Sequence, residues 1–208
     1  MLNLTIKNYC DKLVHRFDEI PSSRKLILEK ISAYIKDKLL KKEPVQLVYV
    51  CTHNSRRSHL GQIWAAVAAN YFNVKSIKTF SGGTETTAFH INAINALKKT
   101  GFEIYTNDVQ TLNPKYIVRF GNSDDEFVIS YSKVYNEEIN PKSNFAAIMT
   151  CSDAEQNCPF IPGVEFRIST TYNDPKEFDN TPQQEEKYIE RSEQIALECL
   201  YVFSKVVY

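Results

Sequence analysis

The stretch Val48-Tyr49-Val50-Cys51-Thr52-His53-Asn54-Ser55-Arg56-Arg57-Ser58 constrains this chain more than any other. An apolar run stops at a cysteine. After five intervening residues comes Arg57, then Ser58, then a segment with helical spacing. This order predicts a strand, a tight loop and a helix N-terminus. Loop amides and the positive end of a helix dipole together seat a tetrahedral oxyanion. The same field favours the thiolate form of Cys51, the form in which a cysteine is a nucleophile. Arg57 can grip two oxygens of the anion with its planar fork, and Ser58 can donate a hydrogen bond to the sulfur. The candidate oxyanion-binding group is therefore Thr52, His53, Asn54, Ser55, Arg56 and Arg57. The chemistry this set suits is attack on phosphorus or a phosphorus-like atom. A buried core cysteine closing a strand beside two surface arginines would share much of this local pattern, so the rest of the chain has to decide.

The length of 208 residues suits one domain plus an extension and is enough to bury a core. The formal net charge is zero, which argues against nucleic-acid and membrane partners. The balance conceals a gradient: residues 1–75 carry 13 Lys and Arg against 6 Asp and Glu, and residues 151–208 carry 5 against 11. No apolar stretch has the length of a membrane span. Charges interrupt the first residues early, unlike a secretory signal, so a cytoplasmic location is expected. Thiols are kept reduced there. Cys10, Cys51, Cys151, Cys158 and Cys199 are then read as core residues or redox groups rather than as a disulfide framework.

Residues 1–42 read as a two-helix extension: Ile6, Tyr9, Leu13 and Phe17 recur at helical spacing, Pro21-Ser22-Ser23 breaks the chain, and Ile27, Ile31, Ile35 and Leu39 form a second stripe. Residues 43–208 would form the main domain. Within it, 46–51 is a strand, 58–72 a helix whose Trp64 and alanines suit close packing, and 76–80 a strand ending in a Ser81-Gly82-Gly83-Thr84 turn. A second helix is expected over 87–100, with His90 early in it. This alternation is the grammar of a parallel α/β sheet with helices on both faces. Residues 116–140 interrupt it with an inserted β-hairpin, 116–120 against 126–131. Strands return at 145–150 and 164–169, Asn173-Asp174-Pro175 is a turn, and 182–206 is the last helix. Cys10 and Cys199 fall on apolar helix faces and read as packing residues.

Parallel α/β sheets bind ligands at the carboxyl ends of their strands. Cys51, Cys151 and Asp174 all sit at or just past such ends, and Cys158 follows Cys151 across a short polar loop. These groups can converge, although two structural cysteines would also fit the pattern.

Four blocks then carry a resemblance: Cys51 to Ser58; Ser81-Gly-Gly-Thr-Glu85; Met149-Thr-Cys-Ser-Asp-Ala-Glu155 with Cys158-Pro159; and Asn173-Asp-Pro175. In order and spacing they resemble the low-molecular-weight protein tyrosine phosphatase superfamily, and within it the thioredoxin-coupled arsenate reductases. The resemblance spans about residues 46–206. It implies a four-stranded parallel sheet, with Cys51 as nucleophile, Arg57 and the loop amides as oxyanion holders, Asn54 as a brace, Ser58 as support for the thiolate and Asp174 as general acid. In a reductase it further implies a relay from Cys51 to Cys151 to Cys158, whose disulfide passes to thioredoxin. In a phosphatase the substrate is a phosphomonoester and water hydrolyses a phosphocysteine. Neither scheme calls for a metal or an organic cofactor. Three positions depart from the pattern: His53 stands where the family usually has glycine, Arg56 where it often has cysteine, and His59 where phosphatases often have proline. A histidine resists backbone angles that glycine accepts, so His53 carries the expectation of a reshaped loop and leaves a non-catalytic phosphoprotein-binding module as a third reading.

Overall fold

A computed structural model describes residues 1–108, 110–124, 126–157 and 160–207. Cys158 lies outside the described residues. Four parallel strands form the central sheet: β1 (Val45–Cys51), β2 (Ile77–Gly83), β6 (Phe145–Met149) and β7 (Val164–Ser169), in the order β2-β1-β6-β7. In register, Cys51 lies beside Gly83 and Val50 beside Met149. The chain leaves β1 toward β2 on one side and later returns to place β6 on the other. The switch point therefore falls between β1 and β6, where crevices open at the carboxyl ends of an open sheet.

The near-continuous apolar run of β1 follows from burial on both faces. Val45, Leu47 and Tyr49 face a large core shared with α1 (Leu4–Leu13), α2 (Ser22–Leu40), α3 (Arg57–Tyr71), α4 (Ile91–Lys99) and α6 (Gln184–Ser204). Val48 and Val50 face a smaller core with Ala147, Met149, Ala154 and Ile161, closed by the short α5 (Ser152–Asn157). Cys51 and Cys151 belong to this second core. Helix α3 lies close on the sheet at Gly61, where a Cβ would come within 2.3 Å of the Tyr49 ring. Trp64 is fully buried, and its indole N–H donates to Ser192 Oγ on α6 at 2.9 Å.

The two N-terminal helices bury Ile6, Cys10, Leu13, Leu28, Ile31 and Ile35 in the large core. The buried stripe of α2 runs through Leu28 rather than Ile27, a small rotation from the expected face. The hairpin, β4 (Tyr116–Arg119) and β5 (Phe127–Ser130), pairs with a strand the sequence did not reveal, β3 (Glu103–Tyr105), in a separate three-stranded antiparallel sheet. Three residues with only Ile104 buried are too short to show a period.

Other boundaries move for local reasons. Helix α4 begins at Ile91, not near residue 87, because His90 is its N-cap, its Nδ1 accepting from Asn92 N–H at 3.3 Å. Strand β2 continues through Gly82 and Gly83 instead of turning at Ser81. The glycines serve close approach: a Cβ at 82 would lie 2.4 Å from Tyr135 Cα, and one at 83 lies 2.5 Å from Thr52 O. Asp174 is more than a turn residue, since it caps a 3₁₀ helix over Pro175–Phe178. Among the described residues no helix is long and apolar enough to cross a membrane.

Candidate active site

The loop from β1 to α3 is held by groups that point inward. Asn54 has φ 44°, in the left-handed region that asparagine tolerates better than most residues. Its Nδ2 donates to Ser58 Oγ at 2.8 Å, and its Oδ1 accepts from Lys133 N–H at 3.0 Å. Ser58 Oγ stands 3.0 Å from Cys51 Sγ. Because the hydroxyl already accepts from Asn54, its own proton is free for the sulfur. His53 is not among the residues of positive φ, so the left-handed step falls one residue later, at Asn54. The His53 imidazole is 45 % exposed, 3.5 Å from Glu85, and its carbonyl accepts from Ser132 Oγ at 2.8 Å. Ser55 Oγ donates to Ala88 O at 2.7 Å, and Thr52 O accepts from Glu85 N–H at 2.8 Å.

The two arginines diverge. Arg57 donates from one Nη to Tyr172 O at 2.8 Å and from the other to Asp174 Oδ2 at 2.5 Å. Its Nε is buried without a hydrogen-bond partner, a donor that a bound oxyanion would satisfy. Arg56 turns toward α6: Nε donates to Tyr188 Oη at 2.6 Å and an Nη to Asp179 Oδ2 at 3.2 Å. Tyr188 in turn donates to Asp179 Oδ1 at 2.8 Å and stacks on His90. The guanidinium of Arg56 is thus engaged by Tyr188 and Asp179. Asp174 is a quarter exposed at the mouth, with Oδ1 accepting from Lys176 N–H at 3.0 Å.

Cys151 lies two residues past β6, next to this loop, and is fully buried. Its sulfur lies 3.5 Å from Thr52 Oγ1 and accepts from Ala154 N–H at 3.4 Å. Cys10 and Cys199 sit in the large core, where burial pushes both thiols up to about 12. Those two are packing groups, as their helix faces suggested. The structure therefore joins Cys51, Ser58 and Asn54 in one hydrogen-bonded loop, pairs Arg57 at the end of that loop with Asp174, and sets Cys151 beside Thr52 of the same loop.

Asn54 supplies a prediction of its own. Alanine there would hold a left-handed backbone without the side chain that accepts from Lys133 N–H. A loss of about 2–3 kcal/mol in unfolding free energy is expected. Urea melting of Asn54→Ala measures it, and a loss below about 0.5 kcal/mol would contradict this view of the loop.

No family model matches the chain. Among solved structures, a low molecular weight phosphotyrosine phosphatase from Vibrio cholerae superposes with TM-score 0.50 at 14% identity, covering 77% of this chain and 95% of that one. A low molecular weight protein tyrosine phosphatase from T. tengcongensis does so with TM-score 0.50 at 14% identity, covering 77% and 99%. The fold is that of the low-molecular-weight protein tyrosine phosphatases. In sequence, an arsenate reductase of Staphylococcus aureus (strain Newman) is 27% identical over 130 residues, covering 62% of this chain and 77% of the relative. An arsenate reductase 2 of Staphylococcus haemolyticus is 26% identical over the same length and coverage. The resemblance read from the four motif blocks is borne out by both comparisons.

On this phosphatase fold several supporting residues had no sequence signal. Ser132 and Lys133, just past the hairpin, brace the Cys51–Ser58 loop at His53 O and Asn54. Lys133 Nζ lies 3.4 Å from Ser81 Oγ and from Tyr131 O, and burial lowers it to about 8. His59, at the proline position, packs its ring on Phe89 and places Nδ1 3.3 Å from Ser81 Oγ. Burial, with the nearby Lys133 charge, holds its pKa well below the usual histidine range, so it is neutral. The sequence marked the Cys51–Ser58 loop because its parts are contiguous. These braces come from distant segments and carry no motif.

Proposed function

We propose that this protein is an arsenate reductase that uses Cys51 as nucleophile and passes electrons from thioredoxin through Cys158 and Cys151. The observation that carries the reading is the position of Cys151, one strand over from Cys51 at the switch point, with Thr52 Oγ1 3.5 Å from its sulfur. The similarity to proteins named arsenate reductase adds support.

In this scheme the Cys51 thiolate, steadied by Ser58, attacks arsenic. Arg57 and the amides of residues 52–57 hold the oxyanion oxygens. Asp174 gives its proton to the departing oxygen, which leaves as water. Cys151 then attacks the Cys51 sulfur. The S–As bond breaks with its electron pair going to arsenic, so arsenic(V) becomes arsenite and a Cys51–Cys151 disulfide forms. Cys158 attacks Cys151 and releases Cys51, and the Cys151–Cys158 disulfide is reduced by thioredoxin. The reading requires a reducing compartment such as the cytoplasm.

A second reading is hydrolysis of phosphomonoesters, tyrosine phosphate among them. Its support is that Cys51, Ser58, Arg57 and Asp174 suffice for phosphocysteine chemistry without another thiol. The test is NADPH oxidation through thioredoxin reductase and thioredoxin. Arsenate-dependent oxidation is expected. Its absence, with p-nitrophenyl phosphate still hydrolysed, would leave the phosphatase reading.

A further inference from the structure

Tyr172 stands two residues before Asp174 and is gripped at four points. Its backbone N–H donates to Thr150 O at 3.1 Å, and its carbonyl accepts from Arg57 at 2.8 Å. Its hydroxyl donates to Glu198 Oε2 at 2.7 Å. The Arg24 guanidinium lies over its ring, 4.8 Å from the centre. Glu198, on α6, is only 3 % exposed. It is held by a bidentate fork from Arg24, with Nε at 3.0 Å and 3.1 Å and an Nη at 2.8 Å. Arg24 belongs to α2, in the N-terminal extension that precedes the family-like stretch.

A buried carboxylate is costly unless it is paired and hydrogen-bonded. Here the paired charge fixes one end of a tyrosine whose other end fixes Arg57. The contacts run without a gap from Arg24 through Glu198 and Tyr172 to Arg57 and Asp174. We infer that Arg24 and Glu198 are positioning residues for the Arg57–Asp174 pair, acting through Tyr172. The N-terminal extension thereby forms part of the active-site support. This rests on reading the Cys51 loop as an oxyanion site with Asp174 as its acid.

The experiment uses the full chain and two variants. Tyr172→Phe removes only the hydroxyl contact. The double variant Arg24→Met with Glu198→Met removes both charges together, leaving no lone buried charge to unfold the protein. Each is assayed on phenyl phosphate, whose leaving group needs a proton, and on 2,4-dinitrophenyl phosphate, whose leaving group does not. A displaced acid lowers kcat/KM for phenyl phosphate about tenfold more than for the dinitrophenyl ester. A merely structural role lowers both alike. Equal losses, or none, would overturn the inference.

If the wild type turns over neither ester, whether or not it reduces arsenate, the anion site itself becomes the readout, and failure with arsenate as well would mark the functional reading as wrong. The strut is then read through inorganic phosphate protecting Cys51 from iodoacetamide, followed by peptide mass. The double variant should need about fivefold more phosphate for half protection. An unchanged requirement, or no protection in the wild type, would overturn the proposal.

Discussion

Cys51→Ser is expected to abolish both arsenate-dependent NADPH oxidation and aryl phosphate hydrolysis, by on the order of 10⁴-fold or more. The substitution is nearly isosteric. A serine hydroxyl at the end of β1 can keep the contact with Ser58 and the packing among Val48, Val50 and Met149. What it removes is the nucleophile, because an alkoxide is far scarcer than a thiolate at neutral pH. Stability should change by no more than about 1 kcal/mol. Loss of activity with intact thermal melting is therefore the expected pair of results. Residual turnover above about 1% of wild type would move the chemistry away from this sulfur.

Cys151→Ser separates the two reactions. In the relay each turnover needs a second sulfur to displace arsenic from Cys51. Without it, multiple turnover through thioredoxin should stop, and arsenic should remain on Cys51 as an adduct seen by mass. Hydrolysis of p-nitrophenyl phosphate needs no second thiol and should stay within about threefold of wild type. The site tolerates the change in physical terms. A hydroxyl there can take the Ala154 N–H and lies beside Thr52 Oγ1, so the cost should be about 1 kcal/mol. Repeated arsenate turnover by this variant would remove Cys151 from the mechanism. A large loss of phosphatase activity in reducing buffer would make it part of the oxyanion site instead.

Much of the sheet and the Cys51–Ser58 loop is legible in the sequence because the relevant information is local. The apolar run of β1 is continuous since both its faces are buried, and the Cys51 to Ser58 loop follows it directly. Asn54 was marked as a brace, and its side chain does reach Ser58 and Lys133. His53 was the position expected to reshape the loop, but the left-handed angle falls on Asn54, which leaves His53 at the rim. The fate of Arg56 could not be read locally, since its partners Asp179 and Tyr188 lie more than 100 residues away. The same holds for the Arg24–Glu198 pair, separated by 174 positions. Strand β3 failed for another reason: a three-residue strand with one buried side chain has no period to detect. Local order thus specifies the Cys51–Ser58 loop, and long-range pairing specifies what holds it in place.

In the proposed relay Cys51, Cys151 and Cys158 act in sequence on one oxyanion. The most direct measurement is the thiol state of the fully reduced wild-type protein after arsenate is added without thioredoxin. The relay should release one arsenite per chain and leave a disulfide between Cys151 and Cys158, found by peptide mass, with Cys10 and Cys199 still free. Five free thiols and no arsenite after the same treatment would contradict it.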